Sequence, residues 1–144
     1  MDKLKYKYMV IQRWQSAMLL LAGILLGVSM FTPVAVVNGD LSQIITPLDS
    51  VVTIVMGALA TILSFIIIFL YKNLRQQIKT TYLCAILTLA YAVTCYIMPC
   101  SMAEAVECKV TGGLCIVVAA LWQVLAALRM RADENKLKSY DRIR

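Results

Sequence analysis

The sequence predicts an all-α protein, an integral membrane bundle of four transmembrane helices with up-down topology, short loops and a cytoplasmic C-terminal helical tail. Composition is the first reason: of 144 residues, 61% are hydrophobic and 15% are charged, too little polar surface for a soluble domain. The second is that apolar runs of about 20 residues, the length that crosses a bilayer, recur along the chain. The third is the placement of the basic residues, which falls on one side of such a bundle.

The apolar runs place the membrane spans in order. We predict spans at residues 14–32, 51–71, 80–98 and 110–128 and a cytoplasmic tail at 129–144, with residues 1–144 forming one membrane domain. The second run is the clearest, because VVTIVMGALATILSFIIIFLY contains no charge and a helix of that length matches a hydrocarbon core of ~30 Å. The first run resembles a signal peptide. It is longer than most signal cores and lacks a clear cleavage site, so we predict an uncleaved span.

The connections between the spans are predicted to be short. Asn38-Gly39-Asp40 forms a turn in the first of them, and Asp49 or Ser50 is predicted to cap the second span. Pro99 is predicted to end the third span.

Thirteen of the 14 Lys and Arg residues fall in segments that an even number of crossings places on the same side. Lys109 is the exception. Cytoplasmic segments of membrane proteins carry such an excess, so we predict that both termini are cytoplasmic. The net charge of +6 is thereby explained without a nucleic-acid ligand. The basic segments are predicted to attract anionic lipid headgroups, at ~1 kcal/mol per residue near the surface, or an acidic protein partner.

The predicted spans contain no Asp, Glu, Lys, Arg or His, and the sequence has no histidine at all. Proton relays, ion pathways and haem ligation depend on such residues, so we expect no enzymatic activity, no cofactor and no metal site. The outer acidic residues come without a histidine, a nucleophile motif or metal-ligand spacing, which disfavours a membrane enzyme that uses the outer loops. These residues are Asp40, Asp49, Glu104 and Glu107.

Small and polar residues within the spans are candidates for helix packing. Gly23 and Gly27 form a GxxxG pair, which allows two helices to approach closely, although glycine is also tolerated generally in membrane helices. Gly57 belongs to a stripe of small residues in the second span. Gln123 is interpreted as the most polar side chain of the spans, with an interhelical hydrogen bond or a ligand contact as its alternative roles.

Cys100 and Cys108 bracket a loop that is predicted to face outward. A disulfide between them would suit an oxidising compartment, and the alternative is two unpaired thiols. A redox-active pair is a third interpretation, but these cysteines lack the CxxC spacing and an activating base.

The two ends of the chain are predicted to meet on the cytoplasmic side. Arg13 lies near the start of the first span, and Asp133, Glu134 and Asp141 in the tail could pair with it. We include Arg142 and Arg144 in the same candidate interaction surface. The alternative is a solvated charged face that only determines topology.

These two segments also carry a family resemblance. IQRWQSAMLLLAGILLG (residues 11–27) and DENKLKSYDRIR (residues 133–144) resemble a bacterial four-span membrane family catalogued as domain of unknown function 4293. The resemblance implies an integral protein of the inner membrane with four helices and with no assigned activity or cofactor. The family typically begins close to the Ile-Gln-Arg motif, whereas MDKLKYKYMV precedes it here.

Two functions remain open on the sequence. The first is a structural or accessory membrane subunit that presents a basic cytoplasmic face to a partner. The second is a small-molecule transporter or a lipid- or quinone-handling membrane subunit. The low polarity of the spans favours the first.

Overall fold

The computed structural model describes the backbone of residues 2–37, 44–70, 73–102, 106–108 and 110–141. Side chains are described for residues 14–36, 44–70, 73–101, 107, 111–136 and 139. Within these ranges the chain forms four α-helices and a small three-stranded sheet. The helices are α1 (Asp2–Ser29), α2 (Val51–Phe69), α3 (Leu74–Met102) and α4 (Val110–Asp141).

Three of the helices in the described part of the chain contain segments long and apolar enough to cross a membrane. These segments are Val51–Phe69, Leu74–Ser101 and Thr111–Lys136. Helix α1 contributes a shorter apolar stretch, Trp14–Ser29, and it extends 12 residues before this stretch, to Asp2. Helices α1, α3 and α4 extend past the predicted spans into charged sequence, whereas α2 ends at Phe69, two residues before the predicted end of its span.

Pro99 lies inside α3, so the prediction that it ends this helix is wrong. A proline inside a helix removes one backbone hydrogen bond, here the one to the Cys95 carbonyl four residues earlier. Side chains make bonds to other carbonyls of this turn: the Ser101 hydroxyl donates to the Met98 carbonyl at 2.7 Å, and the Cys100 thiol lies 3.5 Å from the Tyr96 carbonyl.

The start of α2 is capped by a short turn rather than by a single side chain. Ser50 is the N-cap residue but makes no side-chain capping bond. Asp49 instead closes the preceding 3-10 helix (Pro47–Asp49), where its carboxylate accepts a hydrogen bond from the Thr46 backbone at 2.6 Å. The Thr53 hydroxyl donates to the Ser50 carbonyl at 2.8 Å and links the turn to the helix.

The four helices form a ring in which each packs against two neighbours: α1 on α2 and α4, and α3 on α2 and α4. Successive helices run antiparallel. We name the two ends of the bundle by what lies there. At the sheet end, Pro33 approaches Gly112; at the tail end, Gln15 meets Asp133. This is the up-down bundle that short connections favour.

The interior of the bundle combines alanines with large side chains, and further large apolar residues cover the outside. The interior toward the sheet end contains Ala22, Leu26, Ala60, Tyr91 and Ala119, all fully buried. The interior toward the tail end contains Leu19, Ile67, Ile78, Ala126 and Met130. Leucine, isoleucine, valine and phenylalanine side chains cover much of the outer surface, as in Phe69 and Ile86. Such a continuous apolar surface is rare on soluble monomers and suits contact with lipid.

A small antiparallel sheet joins the two connections at the sheet end, so the all-α prediction needs this addition. Strand β1 (Ala35–Val37) is central and pairs with β2 (Ile44–Ile45) and with β3 (Val106–Cys108). In the register, Ala35 faces Ile45 on one side and Cys108 on the other. Ala35 and Val36 are buried, and buried backbone groups need hydrogen-bond partners, which the neighbouring strands supply. The run VAVV has the β-branched composition of a strand, but its partner β3 is about 70 residues away in the sequence.

Candidate functional site

A buried polar cluster at mid-height of the bundle joins α2, α3 and α4. Its centre is Gln123, which is fully buried. The Gln123 amide donates from Nε2 to the Ser64 hydroxyl at 3.0 Å and to the Cys84 sulfur at 3.4 Å. The Thr88 hydroxyl lies 2.9 Å from Gln123 Oε1 and donates to it. One amide therefore connects α4 to both of the other helices.

The hydrogen-bonding groups of this cluster satisfy one another. The Ser64 hydroxyl donates to the Ala60 carbonyl at 2.9 Å, which leaves its oxygen free to accept from Gln123. The Cys84 thiol lies 3.4 Å from the Ser64 hydroxyl and 3.6 Å from the Ala60 carbonyl. A fully satisfied buried network specifies one arrangement of its helices, because any shift would leave a polar group unpaired. The cluster therefore holds α2, α3 and α4 together through hydrogen bonds between neutral groups.

The glycines singled out from the sequence lie at contacts within the chain. A Cβ on Gly23 would lie 3.3 Å from the Phe65 ring, whereas one on Gly27 would meet nothing closer than Thr61, at 4.0 Å. The GxxxG pair therefore faces α2. A Cβ on Gly57 would lie 3.0 Å from the Tyr91 ring, so the absence of a side chain allows this ring into the core.

Two adjacent acidic residues attach the extension of α4 to its neighbours at the tail end. Asp133 accepts a hydrogen bond from the Gln15 amide of α1 at 2.5 Å, and Gln15 is only 3% exposed. Glu134 accepts a hydrogen bond from the Arg75 Nε of α3 at 3.1 Å, forming an ion pair. We call these four residues the tail clamp. It holds α4 from two sides, at the tail end of the apolar segments.

Gln77 belongs to the same end of the molecule. Its side chain is buried, and its Nε2 donates to the Ile67 carbonyl at 3.2 Å, near the end of α2. Among the described residues, its Oε1 has no hydrogen-bond partner. Gln77 therefore ties α3 to the end of α2.

Exposed basic side chains surround the tail clamp. They are Lys79 on α3 and Arg129, Arg131 and Lys136 on α4. Arg129 and Lys136 are seven residues apart and so lie on one face of α4, whereas Arg131 lies on another. In the described part of the chain, no group of three or more His, Cys, Asp or Glu residues could hold a metal ion.

The tail clamp involves both segments that carry the family resemblance, IQRWQS in α1 and DENK in α4. A family model described as Domain of unknown function (DUF4293) matches residues 11–143. The chain belongs to the DUF4293 family. The match begins at the Ile-Gln-Arg motif and leaves the ten residues before it outside. Comparisons with curated proteins and with solved structures gave no match.

In this DUF4293 chain two of the three acidic residues proposed from the sequence are engaged: Asp133 has Gln15 as a described partner, and Glu134 has Arg75. The side chains of Arg13, Asp141, Arg142 and Arg144 lie outside the described residues. Pairing of Arg13 with Asp133 or Glu134 therefore stays a prediction.

The cysteine bridge stays a prediction as well. Cys100 is exposed and carries a free thiol in this structure. The side chain of Cys108 lies outside the described residues.

Sequence reasoning missed Gln15 and Arg75. Gln15 lies inside the predicted first span, so a second buried amide could have been recognised beside Gln123. Arg75 could be found only once the register of α3 and α4 was known. The contact between Thr88 and Gln123 establishes that register, and the antiparallel helices then bring Arg75 level with Glu134.

Proposed function

We propose that this DUF4293 chain is an integral protein of the bacterial inner membrane with four spans and both termini in the cytoplasm. Three helices are long and apolar enough to span, and the apolar stretch of α1 supplies the fourth crossing. Trp14 is the first residue of that stretch and is 62% exposed. Tryptophan is enriched at membrane–water interfaces, so this position suits the end of a span. The sheet joins the two connections at one end, and 13 of the 14 Lys and Arg residues fall in the segments assigned to the other.

We further propose that the protein is a structural or accessory subunit that presents a basic cytoplasmic face to an acidic protein partner. The observation that carries this proposal is the tail clamp. A charged tail that ended in solvent would need no attachment, whereas here α4 continues as one helix to Asp141 and is bound to α1 and α3. From Arg129 to Asp141 the extension is about 20 Å long, at ~1.5 Å per residue.

The face of this extension that carries Arg129 and Lys136 is the surface that we assign to the partner. Both side chains are exposed, and neither takes part in the clamp. A helix held in place before binding loses less conformational entropy when the partner docks, so a fixed basic helix is a better recognition element than a loose tail. We also propose that the protein has no catalytic activity. The cluster around Gln123 supports this, because its groups are neutral and already hydrogen-bonded to one another.

Quantitative co-purification tests this function. The tagged chain is expressed at its native level, extracted in mild detergent and compared with Arg129→Glu/Lys136→Glu. We expect the charge-reversed protein to lose its acidic partner, because each reversal places like charges in contact. The matched control is Arg129→Lys/Lys136→Arg, which retains the charge and should retain the partner. If the charge-reversed protein keeps the same associated proteins as the wild type, this face is not the partner surface.

A further inference from the structure

A groove runs along the outside of the bundle between α3 and α4. It has a volume of about 170 Å³ and is lined by apolar residues and by Thr88, whose hydroxyl is bonded inside the bundle to Gln123. Ala85 and Ala92 of α3 and Ala120 of α4 form its floor, because their small side chains leave space between the two helices. Leu89 of α3 and Leu121 of α4 are more than half exposed and form parts of its walls.

The size and lining of the groove suit a hydrocarbon chain. A dry apolar cavity of ~150 Å³ is large enough to hold benzene, so this groove can take a segment of an acyl chain of comparable bulk. Its lining offers no polar surface to orient a polar ligand. Since the groove lies within the apolar segments of α3 and α4, its natural surroundings are lipid tails.

The walls of the groove both lead toward arginines at the tail end. On α3, Leu89, Tyr82 and Arg75 follow one another at intervals of seven residues. Residues seven apart lie on the same helix face, with a drift of only ~20°. Arg75 therefore lies on the extension of the α3 wall, and its side chain is 77% exposed.

The wall on α4 follows the same rule. Val117 and Val124 line the groove, and Arg131 follows them after a further seven residues. Its exposed side chain begins about 10 Å beyond Val124 along the helix axis. Two guanidinium groups, one from each helix, thus stand beyond the same end of an apolar groove.

The charges at this end favour an anion. Arg75 uses its Nε for Glu134, which leaves the other donors of its guanidinium available, since the group has five N–H donors. Between α3 and α4 two arginines face the single carboxylate of Glu134, because Asp133 is bonded to Gln15 on the α1 side. Guanidinium groups bind phosphate through paired hydrogen bonds, whereas a zwitterionic headgroup brings its own compensating cation.

We propose that the groove between α3 and α4 is a binding site for one anionic phospholipid, with an acyl chain against the alanine floor and the phosphate at Arg75 and Arg131. The site rests on the proposed membrane location of the bundle and does not depend on the protein partner. It uses the face of α4 that carries Arg131, whereas the partner surface uses the face that carries Arg129 and Lys136.

Lipid titration of the purified full chain in mild detergent, followed by native mass spectrometry, tests the headgroup. The probes are phosphatidylglycerol and phosphatidylcholine with identical acyl chains. We expect one phosphatidylglycerol to bind more tightly than phosphatidylcholine, and Arg131→Gln to weaken phosphatidylglycerol binding about fivefold. Arg129→Gln is the matched control, with the same loss of charge two residues away on another face, and it should bind like the wild type. Equal binding of the two lipids, or equal losses in the two variants, would overturn the proposal.

Filling the groove tests the acyl chain. Ala120→Leu should weaken the binding of both lipids, whereas Ala17→Leu, which adds the same bulk at an exposed position on α1, should not. If Ala120→Leu lowers thermal stability, Ala92→Leu at the half-buried edge of the floor decides the question. Unchanged lipid binding in the filled groove would contradict the site. A dimer that both leucine variants abolish would assign the groove to a second copy instead. These lipid-binding results do not depend on the protein partner, so they stand even if the co-purification assay finds none.

Discussion

Gln123 shows how one neutral side chain can determine the register of three helices. Its amide nitrogen binds Ser64 and Cys84, and its oxygen binds Thr88, so all of its hydrogen-bonding atoms are used inside the bundle. In lipid, apolar contacts alone discriminate poorly between helix registers, because lipid tails are as apolar as the side chains they replace. The cluster favours a single register, because a displaced Gln123 would leave buried polar groups unpaired.

A double-mutant cycle should detect the bond between Thr88 and Gln123. We expect Gln123→Leu and Thr88→Val to couple by about 0.6 kcal/mol in the free energy of unfolding, the average for interhelical hydrogen bonds in membrane proteins. Unfolding in detergent mixtures measures this quantity. Thr94→Val is the control, because the Thr94 hydroxyl bonds within its own helix, to the Tyr91 carbonyl at 2.8 Å. Zero coupling at Thr88, or equal coupling at Thr94, would show that the bond does not form.

At the scale of elements, two of the bonds that hold the extension of α4 differ in how far their donors are buried. Gln15 is buried and donates to the Asp133 carboxylate, whereas Arg75 is largely exposed and forms an ion pair with Glu134. Exposed ion pairs contribute little to stability, while a buried donor that loses its partner incurs its full desolvation cost. The contact of α4 with α1 is therefore the stronger half of the clamp.

This difference predicts an order among the tail variants. Asp133→Ala should lower the free energy of unfolding by about 1–3 kcal/mol and expose the tail to trypsin, and Glu134→Ala by less than about 1 kcal/mol. Gln15→Leu/Asp133→Ala should recover part of the loss, because it removes the unpaired amide. Thermal unfolding and limited proteolysis in detergent measure both effects. The clamp is wrongly assigned if Glu134→Ala proves the more damaging change.

At the scale of the whole molecule, the bundle separates two ends with different chemistry. The sheet joins the two outer connections, which contain one of the 14 Lys and Arg residues. The other 13 lie in three sequence segments, residues 3–13, 72–79 and 129–144. The proposed insertion, with the basic segments retained in the cytoplasm, accounts for this division of charge.

Topology reporters test this orientation. Fusions after Asp40 and Glu104 should report an external location, and fusions after Gln76 and Arg144 a cytoplasmic one, because the basic segments resist translocation. A reporter active on both sides, normalised for expression, gives the measurement. A reversed result at any one of these sites would contradict four crossings with cytoplasmic termini.

The sequence by itself determined the family, the apolar helices and the partition of charge. Each of these depends on local composition: a run such as residues 51–71 is apolar whatever it packs against, and the two terminal motifs are read directly from the chain. The position of Gln123 in an apolar helix likewise identified a buried amide before its partners were known.

Only the tertiary structure decided which residues meet. Gln15 and Asp133 are 118 positions apart, and Arg75 and Glu134 are 59 apart. Strand β1 finds its partner β3 in the other connection, and α3 continues through Pro99 to Met102. The groove between α3 and α4 depends on two alanine positions of α3 facing one of α4. These contacts arise from the register of antiparallel helices, which the buried polar cluster determines and which no local pattern in the sequence encodes.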